Sequence, residues 1–215
     1  MDYGRTVAES LLDIGAVKFS LNPPFTWSSG IKSPVYCDNR KLISFPHHRD
    51  IVVRGFVEKI KELGLNPEVI GGTATAAIPW AAFVAYEMGL PMIYIRPEKK
   101  AHGAGKQVEG VLEEGKRVLI LEDLISTGGS SLNSAKAVRE ESSALVTDVM
   151  AIMTWGLPEA ETNFARADLK QTTLTTFLEL ISLAQERGVL SAEDAAKVSE
   201  FRTDPHSWAE RVGIA

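Results

Sequence analysis

Two adjacent acids, Glu122 and Asp123, follow the apolar run Val118–Leu121 and precede a short stretch of hydroxyls and glycines, Ser126-Thr127-Gly128-Gly129-Ser130. Successive backbone N–H groups that open onto a helix form a cradle for an anion, and the helix N-terminus adds a favourable partial charge. Small residues let the anion approach the main chain, and hydroxyls supply further donors. The stretch has neither the lysine of a nucleotide P-loop nor the spacing of a dinucleotide fingerprint. Two carboxylates beside a phosphate cradle repel phosphate if nothing intervenes. They make sense as acceptors for sugar hydroxyls lying between a terminal phosphate and a reacting carbon, and a divalent cation would soften the repulsion. The plainer alternative is a helix N-cap after an ordinary strand, with solvated acids.

A second stretch is cationic. Arg96, Lys99, Lys100, His102 and Lys106 lie close together, with Gly103, Gly105 and Gly110 among them. Such a loop can neutralise a polyphosphate, although a solvated surface loop often carries the same charge. A third, "FTWSSGIKSPVYCDNR", offers Phe25, Trp27 and Tyr36 either as a wall for a planar ring or as core aromatics.

The elements that must hold these residues read as alternating strands and helices. Thr6-x-x-Glu9 forms a capping box for a first helix. A short strand is expected around Val35–Cys37 and a helix from about Pro46 to Leu63. "EVIGG", "PMIYIRP", "KRVLILED" and "ALVTDVMAIMTW" read as strands, while "AIPWAAFVAYEMG" and "GSSLNSAKAVREE" read as helices. From about Leu174 the chain is expected to be helical, with Ser191 in a cap region. The alternation predicts an α/β fold: a central, mostly parallel sheet flanked by helices, with right-handed crossovers. In such sheets ligands sit beyond the carboxyl ends of the strands, where Glu122 and Asp123 are expected.

The motif "VLILEDLISTGGS" resembles the 5-phosphoribosyl pyrophosphate (PRPP) motif of the type I phosphoribosyltransferases. "FTWSSGIKSPVYCDNR", "GGTATAAIPWAA" and "IYIRPEKKAHGAGKQVEG" resemble the branch of that family that uses orotate, over roughly residues 4–156. The resemblance implies the type I fold with a small N-terminal hood, in a single domain of residues 1–215. Residues 1–45 would cover the base site and 174–215 would form a helical tail. It implies transfer of the phosphoribosyl group from PRPP to orotate, with Mg2+ held mainly through PRPP and pyrophosphate. Glu122 and Asp123 would hold the ribose hydroxyls, and Ser126 to Ser130, including Thr127, Gly128 and Gly129, would seat the 5'-phosphate, with Leu124 and Ile125 also among the PRPP-binding residues. Arg96, Lys99, Lys100 and His102 would bind PRPP and stabilise the leaving charge, with Lys100, His102 and Asp123 as the catalytic set. Ser126, Lys32, Phe25 and Thr154 would face orotate. The resemblance also implies a homodimer in which the 97–110 loop reaches the neighbouring site. The chain departs from the family at Ser28, Ala76, Pro97 and Thr154. A purine phosphoribosyltransferase or a non-catalytic PRPP-binding regulator would carry the same central motif.

Composition sets outer bounds. The 215 residues are 45% hydrophobic and 24% charged, as in ordinary globular chains, and 215 residues suffice for a sizeable core. A net charge of −5 gives no default affinity for nucleic acid. The lone Cys37 excludes an intrachain disulfide and a cysteine-cluster metal site. No run approaches the ~18 apolar residues of a membrane span, and the N-terminus lacks a secretory pattern, so a cytoplasmic location is expected. His47, His48 and His206 lack metal-ligand spacing and read as surface or cap residues.

Overall fold

The computed structural model describes residues 2–27, 30–99 and 105–214. Its centre is a six-stranded sheet. In chain order the strands are β5 (Val69–Thr73), β6 (Met92–Ile95), β7 (Val108–Glu109), β8 (Val118–Ile125), β9 (Asp148–Thr154) and β10 (Lys170–Thr176). In space they run β10-β9-β8-β5-β6-β7, all parallel except the short edge strand β7. Helices α2 (Pro46–Glu62), α3 (Ile78–Met88), α4 (Gly129–Ser142) and α5 (Pro158–Arg166) join the strands.

Side chains alternate across a strand, and β8 feeds two cores accordingly. Leu119 and Leu121 join the one that holds Phe56 and Trp80. Val118 and Ile120 join the other, with Val138 and Phe164. Toward the carboxyl end, Leu124 packs on the first core and Ile125 lies in the second, so the alternation changes phase at Asp123.

Helix α1 (Tyr3–Asp13) leads into a hood built from two small antiparallel pairs. Strand β1 (Val17–Phe19) pairs with β4 (Val35–Cys37), and β2 (Phe25–Thr26) pairs with β3 (Lys32–Ser33). A 3-10 helix, Asn39–Ser44, returns the chain to α2. The tail comprises α6 (Phe177–Glu186), α7 (Ala192–Ser199), a 3-10 turn at Glu200–Arg202 and α8 (Trp208–Arg211). An aromatic ladder ties the tail to the hood: Phe201 lies edge-on to Trp27 at 5.4 Å and to Trp208 at 5.9 Å, and Trp27 meets Trp155 at 5.8 Å.

Several expectations change. Helix α1 starts earlier than the Thr6 box. Asp2 caps it by accepting from the Arg5 N–H, and the Thr6 hydroxyl donates back to the Asp2 carbonyl from inside the first turn. Leu174 is not helical but lies in β10, an edge strand of threonines. Its β-branched side chains suit a pleated surface, yet it offers no apolar run to read. Helix α5 is an element the periodicity did not give. Ser191 does cap α7, accepting from the Asp194 N–H. No helix among the described residues is long and apolar enough to cross a membrane.

Candidate active site

The carboxyl ends of β8 and β9 converge with the hood and the N-terminus of α4. Glu122 lies inside β8 rather than beyond it and is only 4% exposed. Its Oε2 accepts from the Ser130 and Ser131 hydroxyls at 2.7 and 3.3 Å, and its Oε1 accepts from the Asp123 N–H. Burial, reinforced by the charge of Asp123, pushes its carboxyl up to about 8 despite the Ser130 hydrogen bond. Asp123 is also raised, chiefly by burial. Its carbonyl accepts from Asn39 Nδ2 at 2.8 Å, which ties the hood to the strand. Beside it, burial and then the charges of Asp123 and Asp38 push the Cys37 thiol up, so Cys37 is no ready nucleophile. Its Sγ donates to Asn39 Oδ1.

The turn after β8 is held from behind. Asn163 of α5 donates to the Thr127 carbonyl at 3.0 Å. Gly128 has φ +84°, and a Cβ there would stand 2.6 Å from Phe164, so the turn admits only glycine at this position. No side chain caps α4, so the N–H groups of its first turn are left without a side-chain acceptor.

The second strand-to-helix turn, after β5, comes equally close to its helix. A Cβ on Gly72 would fall 2.8 Å from that of Ala81, and the Thr73 hydroxyl bonds that of Ser134. Thr75 and Ala76 lie in this turn, and the Ala74–Thr75 peptide is cis.

The cationic stretch is an excursion from the sheet edge. It leaves at Ile95 and returns at Val108, which face each other in the β6–β7 ladder. Glu141 accepts from the N–H groups of Gln107 and Val108, and Gln107 Nε2 donates to the Arg96 and Pro97 carbonyls. Arg96 sits 3.6 Å from Glu109, and Lys99 is exposed. Lys100 and His102 lie outside the described residues, as does Ser28.

Two cavities of about 440 Å³ each flank Ser126 and share Trp27 as a wall. One is lined by Thr26, Tyr36, Cys37, Leu124 and Trp155. The other is lined by Thr127, Ile31 and Leu157 together with tail residues including Arg202 and His206. The ring of Phe25 packs on Tyr36 at 5.9 Å. The Lys32 ammonium donates to Thr26 Oγ1 at the exposed rim of the hood and lines neither cavity. The Thr154 hydroxyl donates to the Ile125 carbonyl and accepts from the Gly156 N–H, which fixes the turn after β9.

The structure thus gathers Glu122, Asp123, Ser126, Thr127, Gly128, Gly129 and Ser130 at one place, and sets Lys32 and Lys99 further out. It also adds residues the sequence reading passed over. Asn39 and Asn163 carried no sequence signal. The tail, expected only to be helical, also lines a cavity beside Ser126. Among the described residues no cluster of three His, Cys, Asp or Glu residues could hold a metal ion by itself.

Comparison with known proteins points one way. A family model described as "Phosphoribosyl transferase domain" matches residues 47–159. The chain is 47% identical over 206 residues to a protein of Enterococcus faecalis named orotate phosphoribosyltransferase, covering 96% of this chain and 98% of that one. It is 46% identical over 210 residues to one so named from Streptococcus pneumoniae, covering 98% and 100%. A crystal structure of orotate phosphoribosyltransferase from Aeropyrum pernix superposes with a TM-score of 0.74 at 28% identity, covering 86% of this chain and 99% of that one.

Proposed function

The chain belongs to the orotate phosphoribosyltransferases, and from that membership we propose how its residues transfer the 5-phosphoribosyl group of PRPP to orotate. The reaction joins the orotate ring nitrogen to C1 of the ribose. It releases pyrophosphate and gives orotidine 5'-monophosphate, a step of pyrimidine biosynthesis.

The observation that carries this reading is the uncapped N-terminus of α4 beside the two strand acids. The N–H groups of Thr127 to Ser130, with Leu124 and Ile125 shaping the approach, take the 5'-phosphate. Asp123, partly buried near the carboxyl end of β8, accepts from the ribose hydroxyls. Glu122, held by Ser130 and Ser131, orders the turn and stands behind Asp123. As bond breaking proceeds, positive charge grows on the ribose and negative charge on pyrophosphate. An acid beside the first and cations around the second favour that separation. Arg96, Lys99, Lys100 and His102 take the leaving charge, and closure of residues 97–110 excludes water. The orotate anion is itself nucleophilic, so no covalent enzyme intermediate is required. Ser126 contacts orotate. Phe25 acts through Tyr36, Thr154 through the turn it fixes, and Lys32 supplies a cation at the rim.

The site suits Mg2+ as a metal brought by the substrate. Glu122 and Asp123 would offer hard oxygen atoms, no third acidic group joins them among the described residues, and Mg2+ would be held mainly through PRPP and pyrophosphate. When bound, Mg2+ neutralises pyrophosphate charge.

The chain works as one phosphoribosyltransferase domain, with 1–45 as hood and a helical tail that starts after β10, at Phe177. It acts in the cytoplasm, as a homodimer whose 97–110 loop serves the neighbouring site. The test is pyrophosphate release from PRPP with orotate, hypoxanthine or adenine, with and without Mg2+. Release that needs both orotate and Mg2+ supports the reading. Release with a purine, or with no base at all, overturns it.

A further inference from the structure

The tail brings one arginine to the site. Arg202 ends the 3-10 turn Glu200–Arg202 and lines the cavity that Ser126 and Thr127 also line. Its Nη1 stands 3.8 Å from where a Cβ would project at Gly156, just past the carboxyl end of β9. Its place is set by the preceding residue, because Phe201 is fully buried between Trp27 and Trp208.

The guanidinium is unpartnered. Among the described residues Arg54, Arg166 and Arg202 have no hydrogen bond or ion pair to a side chain or carbonyl. Arg54 and Arg166 are exposed, whereas Arg202 is half-buried. Two acids line the same cavity without pairing with it. Asp204 instead accepts from the Ser207 hydroxyl and the His206 N–H, and Glu159 is exposed at the rim. Among the described residues, Arg202 is the only arginine or lysine lining either cavity beside Ser126. A partly desolvated guanidinium with no partner calls for an anion, and its planar fork matches a carboxylate. The 5'-phosphate is served by the α4 turn and pyrophosphate by the basic excursion. The anion left over in the reaction is the carboxylate of the base.

We propose that Arg202 binds the carboxylate of orotate and sets the preference for a carboxylated pyrimidine over the same ring without that group. The proposal rests on the reading of the chain as an orotate phosphoribosyltransferase. The tail is then part of the specificity pocket, and the hood and tail enclose the base together.

The test compares wild type, Arg202→Gln and Arg202→Lys as full-length proteins. In Arg202→Gln the KM for orotate should rise on the order of 10- to 100-fold, as expected for a lost hydrogen bond to a charged group, with the KM for PRPP unchanged. Arg202→Lys should recover part of that loss. By calorimetry, wild type should bind orotidine 5'-monophosphate more tightly than uridine 5'-monophosphate, and Arg202→Gln should bring the two affinities together. An unchanged orotate KM overturns the proposal. So does a parallel rise in both KM values with a fall in Tm, which would mean that Arg202 serves folding alone. Wild type that releases no pyrophosphate with orotate would instead defeat the underlying functional reading, and the proposal with it.

Discussion

Asn39 donates its side-chain amide to the carbonyl of Asp123 at 2.8 Å, across 84 positions of chain. The bond fastens the hood to the strand that carries the acids. Asn39→Ala leaves that carbonyl without its partner at a place where Asn39 itself is buried. The cost should be about 1–3 kcal/mol. Urea unfolding measures it, and a rise in the KM for PRPP should accompany it, because Asp123 loses its brace. Unfolding and KM both equal to wild type would show that the bond holds nothing in place.

Gly128 meets two constraints at once, a positive φ and the ring of Phe164. Gly128→Ala should lower stability by roughly 1–3 kcal/mol from backbone strain alone, with further loss from the overlap. The displaced turn should also weaken PRPP binding. Calorimetric Tm and PRPP affinity together check this, and a variant with normal values for both would refute it.

Glu122 sets a pH dependence. Its carboxyl titrates near 8 in the folded chain, against 4.5 for an ordinary glutamate. Between those values the native state keeps a proton that the unfolded chain has released. The group therefore favours folding at low pH, and that contribution is lost as pH rises through 8. Asp123 is raised too and acts in the same direction. Ligand-free stability should decline across this window, and Glu122→Gln should flatten the decline. Urea midpoints at a series of pH values give the slope; equal slopes in the two proteins would contradict the account.

The proposed sharing of active sites between two subunits predicts complementation. Lys100→Ala and Asp123→Ala should each abolish turnover as homodimers. Mixed subunits should regain activity, because one of the two sites then receives an intact loop and an intact strand acid. Subunit exchange verified by mass spectrometry with no recovered pyrophosphate release would rule the arrangement out.

Much of this was readable from the chain. The β8–turn–α4 unit is specified by local chemistry, namely an apolar run, two acids, and small residues where the backbone must turn, so its strand and helix fell where expected. Strand β10 was not readable, because Lys170–Thr176 is an edge strand whose threonines make no apolar pattern. Helix α5 did carry a signal that went unused: Pro158 in its first turn, Glu159 and Glu161 near its start and Arg166 in its last turn. Asn39, Asn163 and Arg202 owe their roles to contacts between segments far apart in sequence, which no local pattern encodes. The change of phase at Asp123 belongs to the same class, since it depends on what packs above and below β8.

The basic excursion leaves the sheet at Ile95 and re-enters opposite itself at Val108. Residues can be inserted or removed between those points without shifting any strand register or touching either core. How far the cations extend is therefore a dial that lineages, or protein engineers, can turn separately from the scaffold. Lengthening it by a few residues should leave the phosphate grip as it was.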